Sequence, residues 1–212
     1  MTHLGQLDVV KSLTKTLPAS FDQMIKDMED CEQMTDLSVL QHGKEVFKHY
    51  QMLRQFLNGE IELSDDWYVP KFMLDQKKGL IENLHTDDII RQYTVYHDCG
   101  KPYCVYRDAE TNRNHFPNHA EVSWYVWKSL SNEEVVARLI RDDMFFHTCR
   151  SEELAKKIEN YWSKQDAVTL LIVAFAEIHA NAKMFGGIES QSFKIKRNQL
   201  ERRGNQLCKL LF

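Results

Sequence analysis

Residues that form turns are scarce in this sequence: its 212 residues include only four prolines and eight glycines. Because proline and glycine occupy most tight turns, so few of them leave little material for the many chain reversals of an all-β fold. No segment rich in proline, glycine or serine divides the chain, and no repeat with a period of roughly 20–50 residues is visible. The scarcity favours a mostly helical domain.

Signs of a disulfide framework or a membrane anchor are also missing. The five cysteines are an odd number, are spread from Cys31 to Cys208 and form no C-x-x-C pair, which is typical of reduced thiols. The longest apolar run, from Ala167 to Ala176, is much shorter than the roughly 20 residues of a membrane-spanning helix. The first residues, MTHLGQLDVVKSL, lack the apolar core of a signal peptide. We therefore expect a cytoplasmic protein without a membrane segment.

The charge balance argues against a surface devoted to nucleic acid. Lysine and arginine number 27 against 31 aspartates and glutamates, a formal net charge of −4. Basic residues do concentrate after Phe193, where a basic helix or extended arm is a candidate contact for nucleic acid. These residues are Lys194, Lys196, Arg197, Arg202, Arg203 and Lys209.

Apolar residues recur at helical spacing along most of the chain. The spacing and the capping residues predict helices over about 4–17, 21–34, 38–57, 67–84, 86–97, 118–130, 131–147, 151–162 and 165–184. Two short aromatic segments, YCVYRD and RNHFP, flank the polar AETN and predict a small β-hairpin near residues 103–116. The predicted fold is all-α with this one hairpin. We divide it into an N-terminal helical extension (1–34), a main domain (35–190) and a basic C-terminal segment (191–212).

Nine histidines raise the question of a metal site. One of them, His97, is followed by Asp98 at the end of a predicted buried helix, and Lys101 follows three residues later. Imidazole and carboxylate are ligands for divalent metals, and a lysine is a partner for phosphate. Further candidates lie on other predicted helices, as ligands of a metal inside a helical bundle must. They are His42, His119, His147 and Glu177.

These segments resemble the HD-domain metal-dependent phosphohydrolases, a family of all-α enzymes. The resemblance lies in LQHGKEVFKHYQML, YTVYHDCGKP, HFPNHAEVS, LIRDDMFFH and VAFAEIHANA, which span about Leu40 to Ala182. The family pattern is a His on an early helix, a His-Asp pair ending a later one, and a distal Asp. The resemblance implies an HD-domain-like helical bundle that binds a divalent ion such as Mn²⁺, Fe²⁺, Mg²⁺, Zn²⁺, Co²⁺ or Ni²⁺.

The resemblance also implies the metal ligands. His42 takes the early position, with His49 on the same helix as the alternative, and His97 and Asp98 take the central pair. The last acid departs from the family pattern, since the matching segment carries Glu177 instead of Asp. Asp166, three helical turns earlier, is the alternative, but its place at a helix start predicts a capping role.

The implied reaction is hydrolysis of a phosphoester of a nucleotide or a nucleotide-like molecule by metal-activated water. Asp98 would orient or deprotonate the water, while Lys101 and one of His119 or His147 would neutralise the phosphate. On the hairpin, Arg113 and His115 would contact the substrate and a nucleobase. Two alternatives stay open: a phosphodiesterase acting on cyclic nucleotides or RNA ends, and an inactive HD-fold protein that binds a nucleotide or a partner.

Overall fold

A computed structural model describes residues 13–34 and 36–212 of the chain. The described part is mostly helical and contains the predicted hairpin, which confirms these parts of the prediction; a second two-stranded antiparallel ribbon was not predicted. Its helices are α1 (Phe21–Asp30), α2 (Val39–Leu57), α3 (Lys71–Asp75), α4 (Lys77–Glu82), α5 (Asp87–Tyr96), α6 (Lys101–Cys104), α7 (His119–Leu130), α8 (Glu134–Asp142), α9 (Phe145–Thr148), α10 (Ser151–Asn160), α11 (Lys164–Ala180) and α12 (Gln191–Leu211). Its strands are β1 (Glu32–Met34), β2 (Leu37–Ser38), β3 (Tyr106–Arg107) and β4 (Asn114–His115), and a 3₁₀ turn covers Ala182–Phe185.

Contacts divide the described chain into two compact units, and each is built from two separate stretches of sequence. The first unit takes the described residues up to Lys44 together with Arg91–Asp143, and the second takes Glu45–Ile90 and Met144–Phe212. The three-part division predicted from the sequence stays a prediction.

In the first unit, α7 and α8 form the main helix pair. Their facing apolar residues, which include Val122, Val126 and Leu139, are fully buried. Trp127 is also buried; its ring contacts Phe21 edge-on and its indole N–H donates to the Glu133 carbonyl. Burying side chains of this size contributes about 1.5–3 kcal/mol each, so this pair provides much of the unit's stability.

In the second unit, the core helix is α11, of whose 17 residues 13 are buried. A helix that is apolar on all sides belongs inside a protein. Ser163 and Asp166 cap its start reciprocally, each side chain accepting from the other's backbone N–H. The basic segment forms α12, which packs on α11 through a buried face that includes Phe193 and Leu200.

The structure corrects one predicted helix end. The helix predicted over 21–34 stops at Asp30, and Glu32–Met34 pairs antiparallel with Leu37–Ser38. Asp36 takes a positive φ of 62°, a left-handed conformation that aspartate tolerates better than most residues. The tight reversal that results favours a ribbon over a continued helix.

Two other predicted helices are broken. The segment 67–84 holds the short helices α3 and α4 behind Pro70, whose ring disfavours helical backbone at Val69. The segment 131–147 holds α8 and α9. The helix predicted over 4–17 falls largely outside the described residues, and residues 13–17 are not helical.

The predicted hairpin exists but is shorter than expected. β3 pairs with β4 so that Tyr106 faces His115 and Arg107 faces Asn114, while α6 occupies the first predicted positions. None of the described helices is both long and apolar enough to cross a membrane.

Candidate metal centre

Three predicted ligands, His42, His97 and Asp98, come together inside the first unit. One ligand atom from each lies within 4.8 Å of the other two. The residues are 1%, 3% and 1% exposed. Burying two imidazoles and a carboxylate side by side is costly unless they are paired or bind a metal. The group could therefore hold a divalent ion.

The end of α5 delivers the His-Asp pair. The helix stops at Tyr96, and a tight turn follows in which Cys99 N–H donates to the Tyr96 carbonyl and Lys101 N–H to the Asp98 carbonyl. His97 Nδ1 donates to the Thr94 carbonyl at 2.7 Å, so its Nε2 points towards Asp98 Oδ2, 3.1 Å away. A histidine ligand is oriented in this way when its second nitrogen bonds a backbone carbonyl.

Gly43 allows His42 to reach this pair. A Cβ at Gly43 would lie 2.3 Å from the Val95 carbonyl oxygen and 3.0 Å from that of Thr94, so only glycine lets the start of α2 approach the end of α5. His42 Nε2 is then 3.7 Å from Asp98 Oδ2, and its ring centroid is 5.3 Å from that of His97.

Lys101 forms the closest ion pair of the site. Its Nζ lies 2.6 Å from Asp98 Oδ2, donates to Gln33 Oε1 at 3.0 Å, and sits 5.2 Å from the ring centroid of Phe116. Burial by itself raises the pKa of Asp98, but the positive charges of His97 and Lys101 outweigh it and hold that pKa well below its usual range. Asp98 is therefore a carboxylate at neutral pH, as a metal ligand has to be.

His119 approaches the other oxygen of Asp98. Its Nε2 is 3.8 Å from Asp98 Oδ1, and its Nδ1 donates to the Phe116 carbonyl at 3.1 Å. Asp98 Oδ1 is buried and has no hydrogen-bond partner within 3.5 Å in the described part of the chain. A carboxylate whose Oδ1 is orphaned, in a group with two imidazoles, fits a borderline divalent ion, which binds nitrogen and oxygen ligands.

Three residues that shape the site carry no signal that identified them in the sequence. Gln33 reaches Lys101 from the β1–β2 ribbon, and Phe116 covers the same ammonium. Ser123 of α7 accepts the Gly100 N–H at 2.8 Å, and a Cβ at Gly100 would lie only 2.2 Å from the Ser123 nitrogen. A single contact between residues far apart in sequence produces no repeating pattern, so only the tertiary structure identifies these residues.

The hairpin presents the two predicted substrate contacts on the surface of the first unit. His115 stacks on Tyr106 with ring centroids 5.2 Å apart, and Tyr106 is 50% exposed. Arg113 is exposed on the turn. In the sequence the hairpin lies between Lys101 and His119, and both of these residues lie near Asp98.

The remaining predicted residues lie in the second unit. His147 Nε2 is 3.1 Å from Glu177 Oε2. Glu177 as the last metal ligand and His147 as a phosphate contact stay predictions. Asp166 caps α11, as its position predicted, and its Oδ1 bonds His85 Nε2 at 2.8 Å. His49, the alternative to His42, donates from Nδ1 to the Glu45 carbonyl and lies against Trp67.

The cysteines near the centre are protonated thiols. Burial raises the pKa of Cys31 to about 11 and that of Cys104 to about 12, and it also raises that of Cys99. Cys99 Sγ donates to the Ser123 carbonyl and Cys104 Sγ to that of Lys101. This behaviour is that of buried structural thiols.

Comparison of the chain with models of protein families, with curated proteins and with solved structures found no match. The geometry of the site therefore carries the functional argument.

Proposed function

We propose that the protein is a metal-dependent phosphohydrolase of the HD type, which hydrolyses a phosphoester of a nucleotide or a nucleotide-like molecule. The observation that carries the proposal is the buried group of His42, His97 and Asp98 with Lys101 on the same carboxylate. In this proposal the three residues hold the ion. The bound ion supplies an acidified water and positive charge near the phosphoryl oxygens.

Each residue then has a defined task. Asp98 is held ionised, so it can accept a hydrogen bond from the attacking water through Oδ1. Lys101 Nζ lies within reach of the same carboxylate and supplies a positive charge for the phosphate. His119 places its Nε2 3.8 Å from Asp98 Oδ1.

The hairpin supports a nucleotide as the substrate. A base stacking on the exposed Tyr106 would extend the Tyr106–His115 pair, and such stacking contributes about 1–3 kcal/mol per base. His115 is four residues from His119, which limits the distance between their Cα atoms to roughly 14 Å. Arg113 supplies a cation on the same turn.

Compartment and partners follow from the same reasoning. All five cysteines are free and buried, which supports a reducing compartment such as the cytoplasm. The basic residues exposed on α12 are a candidate contact for nucleic acid, as proposed from the sequence.

The decisive experiment measures bound metal and phosphate release on the same samples. Purified protein is analysed for metal content and assayed with nucleoside phosphates and with a phosphodiester, each with added Mn²⁺, Fe²⁺, Mg²⁺, Zn²⁺, Co²⁺ or Ni²⁺. We expect His97→Ala and Asp98→Asn to lose both the metal and the activity. His49→Gln, on the same helix as His42, is the matched control and should retain both.

Other outcomes separate the alternatives. Unchanged hydrolysis in the His97→Ala and Asp98→Asn variants would contradict the assigned roles. Cleavage of diesters alone would favour the phosphodiesterase. Tight nucleotide binding without metal-dependent release of product would favour an inactive binding protein.

A further inference from the structure

The ammonium group of Lys101 is bonded to the carboxylate that would also hold the ion. Lys101 Nζ lies 2.6 Å from Asp98 Oδ2, and the Nε2 atoms of His97 and His42 lie 3.1 Å and 3.7 Å from the same oxygen. Lys101 is 7% exposed and Asp98 is 1% exposed, so salt in the solvent screens their charges only weakly. A lysine this close to a ligand affects how firmly an ion is held.

The charges of Asp98 and Lys101 cancel each other before an ion binds. Within the described residues no other acid lies within 4 Å of the Lys101 ammonium group, and none joins the three metal ligands. Histidines bind a metal as neutral imidazoles, so a divalent ion would leave two positive charges in excess. Like charges repel strongly in a buried site, where the effective dielectric constant is far below that of water. Lys101 therefore opposes the binding of the ion.

The same ammonium group favours an anion. It has three N–H donors, of which one is used by Asp98 Oδ2 and another by Gln33 Oε1, at 3.0 Å. The third donor has no acceptor among the described residues. A phosphate brings acceptor oxygens and a charge of about −1.5 to −2 at neutral pH, which offsets the excess positive charge of a metal-loaded centre.

We infer that Lys101 has opposite effects on the two ligands of the centre: it weakens the binding of the divalent ion and strengthens the binding of a phosphate. The protein alone then holds the ion loosely, and a bound phosphate tightens it. The inference rests on the proposed function for the presence of the metal, and it extends that function to how the metal is retained.

The test measures the two affinities separately on the full chain at neutral pH. The electron paramagnetic resonance of free Mn²⁺ gives the affinity for the ion, and calorimetric titration of the Mn²⁺-loaded protein with inorganic phosphate gives the affinity for the anion. In Lys101→Met we expect Mn²⁺ to bind about tenfold more tightly, because a like charge is removed. Phosphate should bind about tenfold more weakly, because a charged hydrogen bond is lost.

Two control variants locate the effect. Lys44→Met removes the same charge from an exposed lysine two residues after His42, and both dissociation constants should stay within about threefold of the wild type. Asp98→Asn should lose the Mn²⁺ site, which shows that the measured ion is bound at the centre.

A second test variant keeps the lysine and is used in case Lys101→Met does not fold. Gln33→Glu preserves side-chain size and gives the ammonium group a second carboxylate, which offsets its charge. It should also bind Mn²⁺ more tightly and phosphate more weakly than the wild type. A matching amide spectrum shows that each variant is folded.

Opposite shifts of the two affinities support the inference, because a merely structural role of Lys101 would weaken both ligands together. Unchanged or weaker Mn²⁺ binding in the folded variants of Lys101 and Gln33 would overturn it, and so would the absence of Mn²⁺ binding by the wild type at millimolar concentration. Neither measurement uses hydrolysis. Opposite shifts without phosphoester cleavage would therefore refute only the proposed function, and cleavage with both affinities unchanged in Lys101→Met would refute only the inference.

Discussion

The contacts of Asp98 explain how a buried carboxylate stays ionised. Lys101 and His97 approach its Oδ2, while its Oδ1 has His119 at 3.8 Å and no hydrogen bond from the described residues. A buried carboxylate is stabilised when both of its oxygens have partners, and here only Oδ2 does. Oδ1 can therefore still bind a metal or accept a hydrogen bond from a water.

At the residue scale, Gln33 should act as a positioning residue for Lys101. In Gln33→Leu the ammonium group loses its neutral acceptor, and we expect about tenfold slower hydrolysis with metal content unchanged. Steady-state kinetics and metal analysis of the same preparation check this. Glu32→Gln, an exposed neighbour on the same strand, is the control. A wild-type rate in Gln33→Leu would show that Lys101 needs no such support.

The surroundings of Asp27 should make the free energy of unfolding depend on pH. Burial alone raises the pKa of Asp27, but hydrogen bonds from Tyr103 and Lys15 outweigh it and lower the pKa. The folded state therefore binds the proton less readily than the unfolded chain. The stabilisation is present above the unfolded pKa, near 4, and is lost as the pH falls through the folded value.

Asp27→Asn should accordingly lower the free energy of unfolding at pH 7 by about 1 kcal/mol. The gap to the wild type should narrow as the pH falls below about 4. Urea denaturation from neutral to acid pH measures both effects. Glu29→Gln, exposed on the same helix, is the control. A gap that stays constant with pH would contradict the assigned role.

At the scale of elements, the site depends on how closely helix α2 approaches α5. Gly43 sits against the carbonyls of Val95 and Thr94, and the Thr94 carbonyl also orients His97. One methyl group at this point would disturb both the packing of two helices and the orientation of a ligand.

Gly43→Ala should destabilise the protein by about 1–3 kcal/mol and weaken metal binding by roughly tenfold or more. Thermal denaturation and metal titration measure the two effects. Gly79→Ala is the matched control, because the three atoms nearest its Cβ all belong to the side chain of Phe212, which is 45% exposed. Equal effects of the two substitutions would show that Gly43 is not needed for the close approach of α2 to α5.

The basic C-terminal segment is also an element of the core. Arg203 is 7% exposed and donates to the carbonyls of Cys149 and Phe146, which joins α12 to α9. Its guanidinium group therefore forms hydrogen bonds inside the second unit. The number of basic residues in α12 is thus larger than the number whose charges face solvent.

At the scale of the whole molecule, metal binding should be coupled to folding. His42 lies on a different segment of sequence from the adjacent His97 and Asp98, so an unfolded chain does not assemble the site. An ion at 100 times its dissociation constant stabilises the folded state by about 2.7 kcal/mol, which corresponds to a rise in melting temperature of roughly 5–10 °C for a chain of this size.

We therefore expect EDTA to lower the melting temperature of the metal-loaded wild type by several degrees and to leave Asp98→Asn unchanged. Differential scanning calorimetry with and without chelator measures this, and readdition of the metal should reverse it. An equal response of the two proteins would place the metal effect outside this centre.

Several features could be read from the sequence because their causes are local. Apolar spacing located most of the helices, Asp166 caps the helix start at which it lies, and the alternation of aromatic and polar segments indicated the hairpin. Local pattern failed at Cys31 to Ser38, where the left-handed Asp36 turned an expected helix end into a ribbon.

The sequence by itself determined a mostly helical chain with a His-Asp pair at the end of one helix, since helix periodicity and capping act within a few residues. The sequence left His49 open as the alternative to His42, and only the tertiary structure decided between them. His42 and His49 are both on α2, yet only His42 lies beside Gly43, where two backbones approach closely enough for its ring to reach Asp98. Gln33 reaches Lys101 for the same reason: such contacts join residues far apart in sequence, and only packing determines them.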